Sequence, residues 1–194
     1  MVGMIRRAVI MVSVLLSAVG ALPPGAARAE PSSALDDLVD AAAQRLQTAD
    51  AVAASKWLTG GPITDPARVQ QVLAAVTAEA QAAGVPPDYA TAVFTDQINA
   101  TEGVQYSRFS WWKFDPSTAP ASAPDLAASR SVIDGLNHEM VAQIGRQWPV
   151  LQSPDCAAAL SAAKNTVADS RGLDALYRQA LDAATRSYCR GWPG

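Results

Sequence analysis

The chain has 194 residues, of which 49% are hydrophobic, and its 15 basic and 18 acidic residues give a net charge of −3. An acidic chain without a basic tail is unsuited to nucleic acid, so we expect no nucleic-acid partner. The sequence has neither a glycine-rich phosphate loop nor a His/Cys/carboxylate cluster with zinc-ligand spacing. It therefore predicts no nucleotide cofactor and no metal.

Residues 1–29 have the organisation of a secretory signal peptide. Arg6 and Arg7 precede a short apolar run, and Ala27-Arg28-Ala29 matches the small-x-small cleavage pattern. A membrane anchor is the alternative, although the apolar run is short for a bilayer span. We predict export to the periplasm or full secretion, and a mature domain over residues 30–194 without a membrane segment. That domain has 12 basic and 18 acidic residues, a net charge of −6.

The apolar residues recur with helical period along the whole mature chain, which predicts six helices and no sheet. These helices are predicted near residues 33–57, 65–84, 87–114, 126–148, 153–172 and 173–189. Asp65-Pro66 and Ser153-Pro154 each combine an N-cap residue with a proline at the first helical position. The Pro/Ser/Ala-rich segment 115–125 is interpreted as a linker between helices, so the mature chain is predicted to be one domain.

The chain has two cysteines, Cys156 and Cys189, near the start of the fifth predicted helix and the end of the sixth. In an oxidising compartment such a pair most simply forms one disulfide, which would join two antiparallel helices at one end. A metal site or a catalytic thiol is the alternative reading, but no histidine lies near either cysteine.

Cations interrupt the apolar stripes of the predicted helices. Arg45 and Lys56 are 11 residues apart, so they share one helix face about 16 Å apart along the axis. Arg130 is in phase with the apolar residues of the fourth helix, and Arg68 lies at the edge of the second helix's stripe. Because few acids share these stripes, we expect an anionic ligand between the cations. Exposure to solvent or pairing with acids is the alternative.

Three uncharged polar residues, Gln97, Thr101 and Gln105, recur every four residues along the third helix and share one face. They would either line a polar pocket or form a satisfied network in the core. His138 is the only histidine, and its polar neighbours favour a surface position, which argues against a Ser-His-Asp or Cys-His catalytic set. An enzyme of this composition would have to work by positioning and electrostatics.

The spacing of these residues resembles that of the all-helical AroQ class of chorismate mutases. The resemblance rests on Arg45 with Lys56, the segment D65-P-A-R68 and the segment T101-E-G-V-Q105. The signal peptide, the length, SRFSWWK (107–113), ASRSVIDGLN (128–137) and the two cysteines are similar to the exported gamma subclass. The resemblance implies an all-α, single-domain six-helix bundle of the chorismate mutase II type with one disulfide. It implies the conversion of chorismate to prephenate without a cofactor.

The resemblance also implies roles for individual residues. Arg45 and Arg130 would clamp a substrate carboxylate, and Lys56 would reach the ether oxygen and an adjacent carboxylate. Gln105 would donate its amide hydrogen to the ether oxygen. Some members carry glutamate at that position, which must be protonated to donate. We therefore expect the activity of this chain to change little with pH.

Four further residues would hold the ring side of the substrate. Arg68 is assigned a catalytic role with Lys56 and Gln105, and with Thr101 it would hold the ring carboxylate. Asp65 would meet the ring hydroxyl. Val72 stands where relatives can place a polar amide or acid, so one contact to the hydroxyl would be missing or supplied by Gln71 or water.

Short intracellular members of the class complete each pocket with an arginine from a partner chain. This chain is longer, and Arg130 would fill that place within one chain. Catalysis should therefore not require a homodimer, although a homodimer stays possible.

The alternative function is a non-catalytic secreted helical protein that binds a ligand or interacts with a host. Such a protein would keep the fold and the disulfide but tolerate loss of the interior cations.

Overall fold

The computed structural model describes residues 33–189, and the predicted signal peptide and cleavage site lie outside this range. Within it the chain forms helices and no strand, which confirms the predicted all-α class. The helices are α1 (Asp36–Gln47), α2 (Ala49–Thr59), α3 (Pro66–Ala82), α4 (Pro87–Phe114), α5 (Leu126–Arg146), α6 (Trp148–Leu151), α7 (Cys156–Ser170) and α8 (Ala175–Ala184). A short 3-10 turn, Pro116–Thr118, lies in the predicted linker.

Helix α4 has 28 residues and is the central element of the bundle. It packs against α1, α2, α3 and α8, while α1 packs against α5, α7 and α8 as well. Phe94 and Tyr89 on α4 and Leu38 and Leu46 on α1 are completely buried between these helices. Burial of side chains of this size contributes roughly 1.5–3 kcal/mol each, which fixes α4 against α1 and so places the polar residues on α4.

The first predicted helix is divided into α1 and α2 at Thr48. The Thr48 hydroxyl donates to the carbonyl oxygen of Arg45 at 2.7 Å, and the Thr48 amide donates to the same oxygen at 3.3 Å. A threonine that bonds back to its own helix disturbs the regular backbone hydrogen bonds. The two predicted cations are therefore on consecutive helices, with Arg45 on α1 and Lys56 on α2.

Three other helix ends differ from the prediction. The predicted start of the fifth helix at Ser153-Pro154 is wrong, because α7 begins at Cys156 with Asp155 as its N-cap residue, and the Ser153 hydroxyl donates to the carbonyl oxygen of Val150 at 2.9 Å instead.

Helix α5 ends at Arg146, and a separate turn, α6, follows, because Pro149 has no amide hydrogen with which to continue α5. Helix α8 ends at Ala184 instead of near Cys189. The chain then turns so that Tyr188 is fully buried and its carbonyl oxygen accepts a hydrogen bond from the Tyr89 hydroxyl at 2.8 Å.

Cys156 and Cys189 form a disulfide with a Cα–Cα distance of 5.7 Å, as predicted. Cys156 begins α7 and Cys189 follows α8, so the bond ties the segment after α8 to the start of α7. The predicted helix cap at Asp65 is also present, because its Oδ1 accepts a hydrogen bond from the Arg68 amide at 3.0 Å and Pro66 is the first helical residue.

Candidate active site

A cavity opens between α1, α2, α3, α4 and α5 and holds about 600 Å³ of space, its mouth included. All eight residues predicted to bind substrate line it: Arg45, Lys56, Asp65, Arg68, Val72, Thr101, Gln105 and Arg130. The fold thus brings together residues from five helices and one loop. Their individual chemical roles stay predictions.

Arg45 is only 4% exposed. Its Nε donates to the side-chain oxygen of Asn137 at 2.6 Å, and its Nη1 donates to the Thr101 hydroxyl at 3.1 Å. The Thr101 hydroxyl in turn donates to the carbonyl oxygen of Gln97 at 2.8 Å. Burial lowers the pKa of Arg45 to about 10, so the guanidinium keeps its charge at neutral pH. The cavity therefore contains a fixed, desolvated cation that a substrate carboxylate could pair with.

Lys56 is also buried, and its ammonium group donates to the carbonyl oxygen of Ile63. Gly60 makes this contact possible by ending α2 in the left-handed region, at φ 69°, so that the chain turns back towards Lys56. Burial lowers the pKa of Lys56, and the charges of Glu102 and Asp65 partly oppose that effect. The ammonium is held by one carbonyl, which leaves its other N–H groups to donate within the cavity.

Arg68 and Arg130 are less buried than Arg45, and each is paired with a carboxylate. Arg68 forms an ion pair with Asp134, and its Nη1 donates to Gln71 at 3.0 Å. Arg130 donates to Oδ2 of Asp65 at 3.0 Å. The expectation that few acids would neutralise the interior cations is therefore wrong for these two arginines. It fails because each acid lies on a different segment from the arginine that it pairs with, and the pattern within one helix does not show such a pairing.

The polar face of α4 divides into two parts. Gln97 is completely buried and donates to the carbonyl oxygen of Ala42 at 3.0 Å, so it joins α4 to α1 and does not line the cavity. Thr101 and Gln105 line it. The side-chain oxygen of Gln105 is buried and accepts no hydrogen bond within residues 33–189. The side-chain oxygen of Gln97 is unpartnered in the same way although Gln97 does not line the cavity. It is therefore the position of Gln105 on the cavity wall, and not its unpartnered oxygen, that makes its amide N–H groups available to a ligand.

Apart from Glu102, the remaining wall of the cavity is apolar. Val72 is 5% exposed and lies on α3 among these residues. The apolar lining consists of Val52, Ile63, Val69, Val72, Ile98, Leu126 and Ile133. Such a wall excludes water and strengthens electrostatic interactions inside the cavity.

Three polar residues at the site were not predicted from the sequence. Asp134 and Asn137 follow Arg130 by four and seven residues on α5, a spacing that puts them on one helix face, and this signal would have identified both. Glu102 lines the cavity, and its carboxylate accepts a hydrogen bond from the Thr64 hydroxyl at 3.0 Å. Its position next to Thr101 gave no such signal.

Other features of the described chain lie outside the site. His138 has 74% of its side chain exposed beside Glu79, as its polar neighbours predicted. Arg108, on the same face of α4 as Gln105, pairs with Asp50 at 2.7 Å. Between residues 33 and 189 no group of three or more His, Cys, Asp or Glu side chains is arranged to hold a metal ion. No helix in that range combines the length and the apolar character needed to cross a bilayer.

Known proteins are similar to this chain in sequence and in fold. The family model described as chorismate mutase type II matches residues 34–106. The secreted chorismate mutase of Mycobacterium tuberculosis is 50% identical over 184 residues, which is 95% of this chain and 92% of that protein. The secreted chorismate mutase of Mycolicibacterium smegmatis is 54% identical over 180 residues, which is 93% of this chain and 99% of that protein.

A solved structure agrees with the sequence comparison. The crystal structure of the chorismate mutase from Burkholderia phymatum superimposes with a TM-score of 0.77 at 36% identity, covering 81% of this chain and 97% of that one. The resemblance inferred from the residue spacing is therefore confirmed by sequence and by fold. This chain belongs to the type II chorismate mutase family.

Proposed function

We propose that the chain is an exported chorismate mutase that converts chorismate to prephenate in the cavity between α1 and α5. The observation that carries this proposal is the convergence of four cations on one cavity that also has a large apolar wall. The cations are Arg45, Lys56, Arg68 and Arg130. A dianionic, ring-containing substrate complements such a cavity in charge and in shape. Membership of the chorismate mutase family names that substrate.

The cations would hold the substrate in the compact conformer from which it reacts. Arg45 and Arg130 would bind one carboxylate, since the planar guanidinium group matches a carboxylate in a two-point contact. Arg68 and Thr101 would bind the ring carboxylate. Holding both ends of a flexible molecule lowers the entropic part of the barrier, because the reacting carbons are kept close together.

Lys56 and Gln105 would act on the ether oxygen. The rearrangement is unimolecular, and negative charge develops on this oxygen as its bond to carbon breaks. The Lys56 ammonium and the Gln105 amide hydrogen would donate to it, and both donors would bind the transition state more tightly than the substrate. Neither donor forms a covalent bond, so the reaction needs no nucleophile and no cofactor.

The ring hydroxyl would be bound by Asp65 at the start of α3. Val72 offers no polar atom on the facing turn of α3, and Gln71 is engaged with Arg68 at 3.0 Å. The hydroxyl would therefore have one protein partner fewer than in relatives with a polar residue at this position. We expect this difference to weaken substrate binding more than it slows the chemical step.

The location and assembly of the chain follow from the same proposal. Residues 1–29 would direct export and be removed, so that the catalytic domain, residues 30–194, acts in the periplasm or outside the cell. A disulfide between Cys156 and Cys189 is consistent with an oxidising compartment. Each chain would contain a complete site, because Arg130 comes from the same chain. A homodimer could form without being required for catalysis.

Two experiments test these statements. Residues 30–194, prepared under oxidising conditions, should consume chorismate and release prephenate without added metal. Folded protein that leaves chorismate unchanged would contradict the proposed activity.

The full chain, produced in a bacterium with a general secretion pathway, should yield a processed protein beginning at Glu30. An unprocessed protein retained in the membrane fraction would support the anchor alternative instead.

A further inference from the structure

Asn137 is a buried residue beside the candidate site to which the proposed mechanism assigns no role. It lies on α5, is 5% exposed, and accepts a hydrogen bond from Arg45 Nε at 2.6 Å. The two residues are 92 positions apart in the sequence, so their contact depends on the packing of α1 against α5. Asn137 itself is not among the residues that line the cavity.

The hydrogen bonds of Arg45 define the direction of its guanidinium group. Nε is held by Asn137, and Nη1 points to the Thr101 hydroxyl at 3.1 Å and the Gln97 carbonyl oxygen at 3.5 Å. Among residues 33–189 no group accepts a hydrogen bond from Nη2. Because the guanidinium is planar and rigid, fixing Nε and Nη1 also fixes the direction in which Nη2 can donate.

Arg45 differs from the other arginines of the cavity because its side-chain partner on α5, Asn137, is uncharged. Arg68 pairs with Asp134, and Arg130 pairs with Asp65 at 3.0 Å. In the described part of the chain no carboxylate lies within 4.0 Å of Arg45. Asparagine and aspartate have nearly the same shape, so aspartate at position 137 could make the same contact. It would also cancel the charge of Arg45.

We propose that Asn137 is a positioning residue that aims Arg45 at the substrate while leaving the guanidinium group without a carboxylate in contact. This inference rests on the proposed function, in which Arg45 binds a substrate carboxylate. A carboxylate that enters the cavity then meets a desolvated guanidinium with no carboxylate of residues 33–189 within 4.0 Å, although Asp134 acts on it from further away. Such a contact is stronger than one for which an existing ion pair must first be broken.

The test compares Asn137→Asp with Asn137→Ala. The aspartate variant keeps the acceptor for Arg45 Nε, so its Tm should equal or exceed that of the unsubstituted protein. Its kcat/KM for chorismate should fall roughly 10- to 100-fold, mostly through a higher KM, because an interaction with a charged group is weakened. Asn165 is exposed on α7, and Asn165→Asp is the matched control for an added negative charge and should leave kcat/KM unchanged.

The alanine variant tests positioning directly. Loss of the acceptor should raise KM and should also expose the Arg45 Nε–H to faster exchange with solvent, as measured by NMR on protein with ¹⁵N-labelled arginine. If Asn137 only satisfied a buried donor, Asn137→Asp would retain full activity, and this result would overturn the proposal. A rapidly exchanging Nε–H in the unsubstituted protein would overturn it as well.

The NMR measurement also separates this inference from the proposed function. If the folded protein does not consume chorismate, the proposed activity fails. A protected Nε–H that loses its protection in Asn137→Ala would still support the positioning of Arg45 by Asn137.

Discussion

Asp65 and Arg130 are joined by a hydrogen bond of 3.0 Å from the arginine Nη2 to the aspartate Oδ2, while the other oxygen of Asp65 caps α3. One carboxylate thus fixes the start of α3 and links it to α5 across the cavity. The pair is partly exposed, with 40% of the Arg130 side chain and 35% of the Asp65 side chain accessible. The ion pair itself therefore contributes little to stability, at most about 1 kcal/mol.

The two functions of Asp65 can be separated by substitution. Asp65→Asn should retain the cap, because asparagine is as good an N-cap as aspartate, whereas Asp65→Ala should lower the free energy of unfolding by about 0.5–2 kcal/mol. Urea denaturation of the two variants measures the difference. Equal stability of the asparagine and alanine variants would show that the cap contributes nothing.

Arg130 should be needed for activity. It pairs with Asp65, which lies 65 residues earlier in the sequence. We expect Arg130→Ala to lower kcat/KM for chorismate about 10²–10³-fold, the range found when one charge-stabilising donor is removed. Arg146 is the matched control, since it lies at the end of the same helix and pairs on the surface with Glu139. Arg146→Ala should keep full activity, and an equal loss in both variants would indicate a general effect on α5.

The pH profile should reflect an amide donor at position 105. An amide does not titrate, so kcat/KM should be nearly flat between about pH 5 and pH 8. Gln105→Glu should introduce a steady loss of activity as pH rises, because the carboxyl must be protonated to donate. A sharp fall in the activity of the unsubstituted protein above about pH 6 would contradict the role proposed for Gln105.

At alkaline pH, the change of kcat/KM with pH should follow the loss of the proton from Lys56. Burial lowers its pKa from the ordinary value of 10.5, so the ammonium loses its proton at a lower pH than an exposed lysine does. The midpoint of the alkaline fall in kcat/KM, which reports on the free enzyme, should therefore lie below pH 10.5. Arg45, whose pKa burial lowers to about 10, should contribute to the same fall. The fall in kcat should begin at higher pH, because a bound dianion favours the charged ammonium. An alkaline limb that is identical for kcat and kcat/KM would contradict this assignment.

The all-α fold could be predicted from single segments of sequence, and these segments together with the family resemblance predicted eight residues that line the cavity. Helical periodicity identified the helices, and the 11-residue spacing put Arg45 and Lys56 on one side of the chain although Thr48 interrupts the helix between them. Tertiary contacts could not be predicted in this way. Arg68 finds Asp134 and Arg45 finds Asn137 on α5, and a pattern within one helix carries no information about the opposing helix.

The disulfide should affect stability and leave catalysis intact. Cys156 and Cys189 lie on or beside α7 and α8, and neither helix lines the cavity. Replacing both cysteines with serine should lower the free energy of unfolding by about 2–5 kcal/mol. The kcat/KM at 25 °C should stay unchanged as long as the protein is folded. A large loss of activity in a folded double variant would show that this end of the bundle is coupled to the site.

The claim that chorismate reacts in this cavity is tested most directly by comparing the rates of chorismate consumption by Lys56→Ala and Lys113→Ala. Lys113 is an exposed lysine at the end of α4, outside the cavity. With folding verified by circular dichroism, kcat/KM should fall at least about 10²-fold in Lys56→Ala and stay unchanged in Lys113→Ala. Full activity in Lys56→Ala would contradict the claim that this cavity is where chorismate reacts.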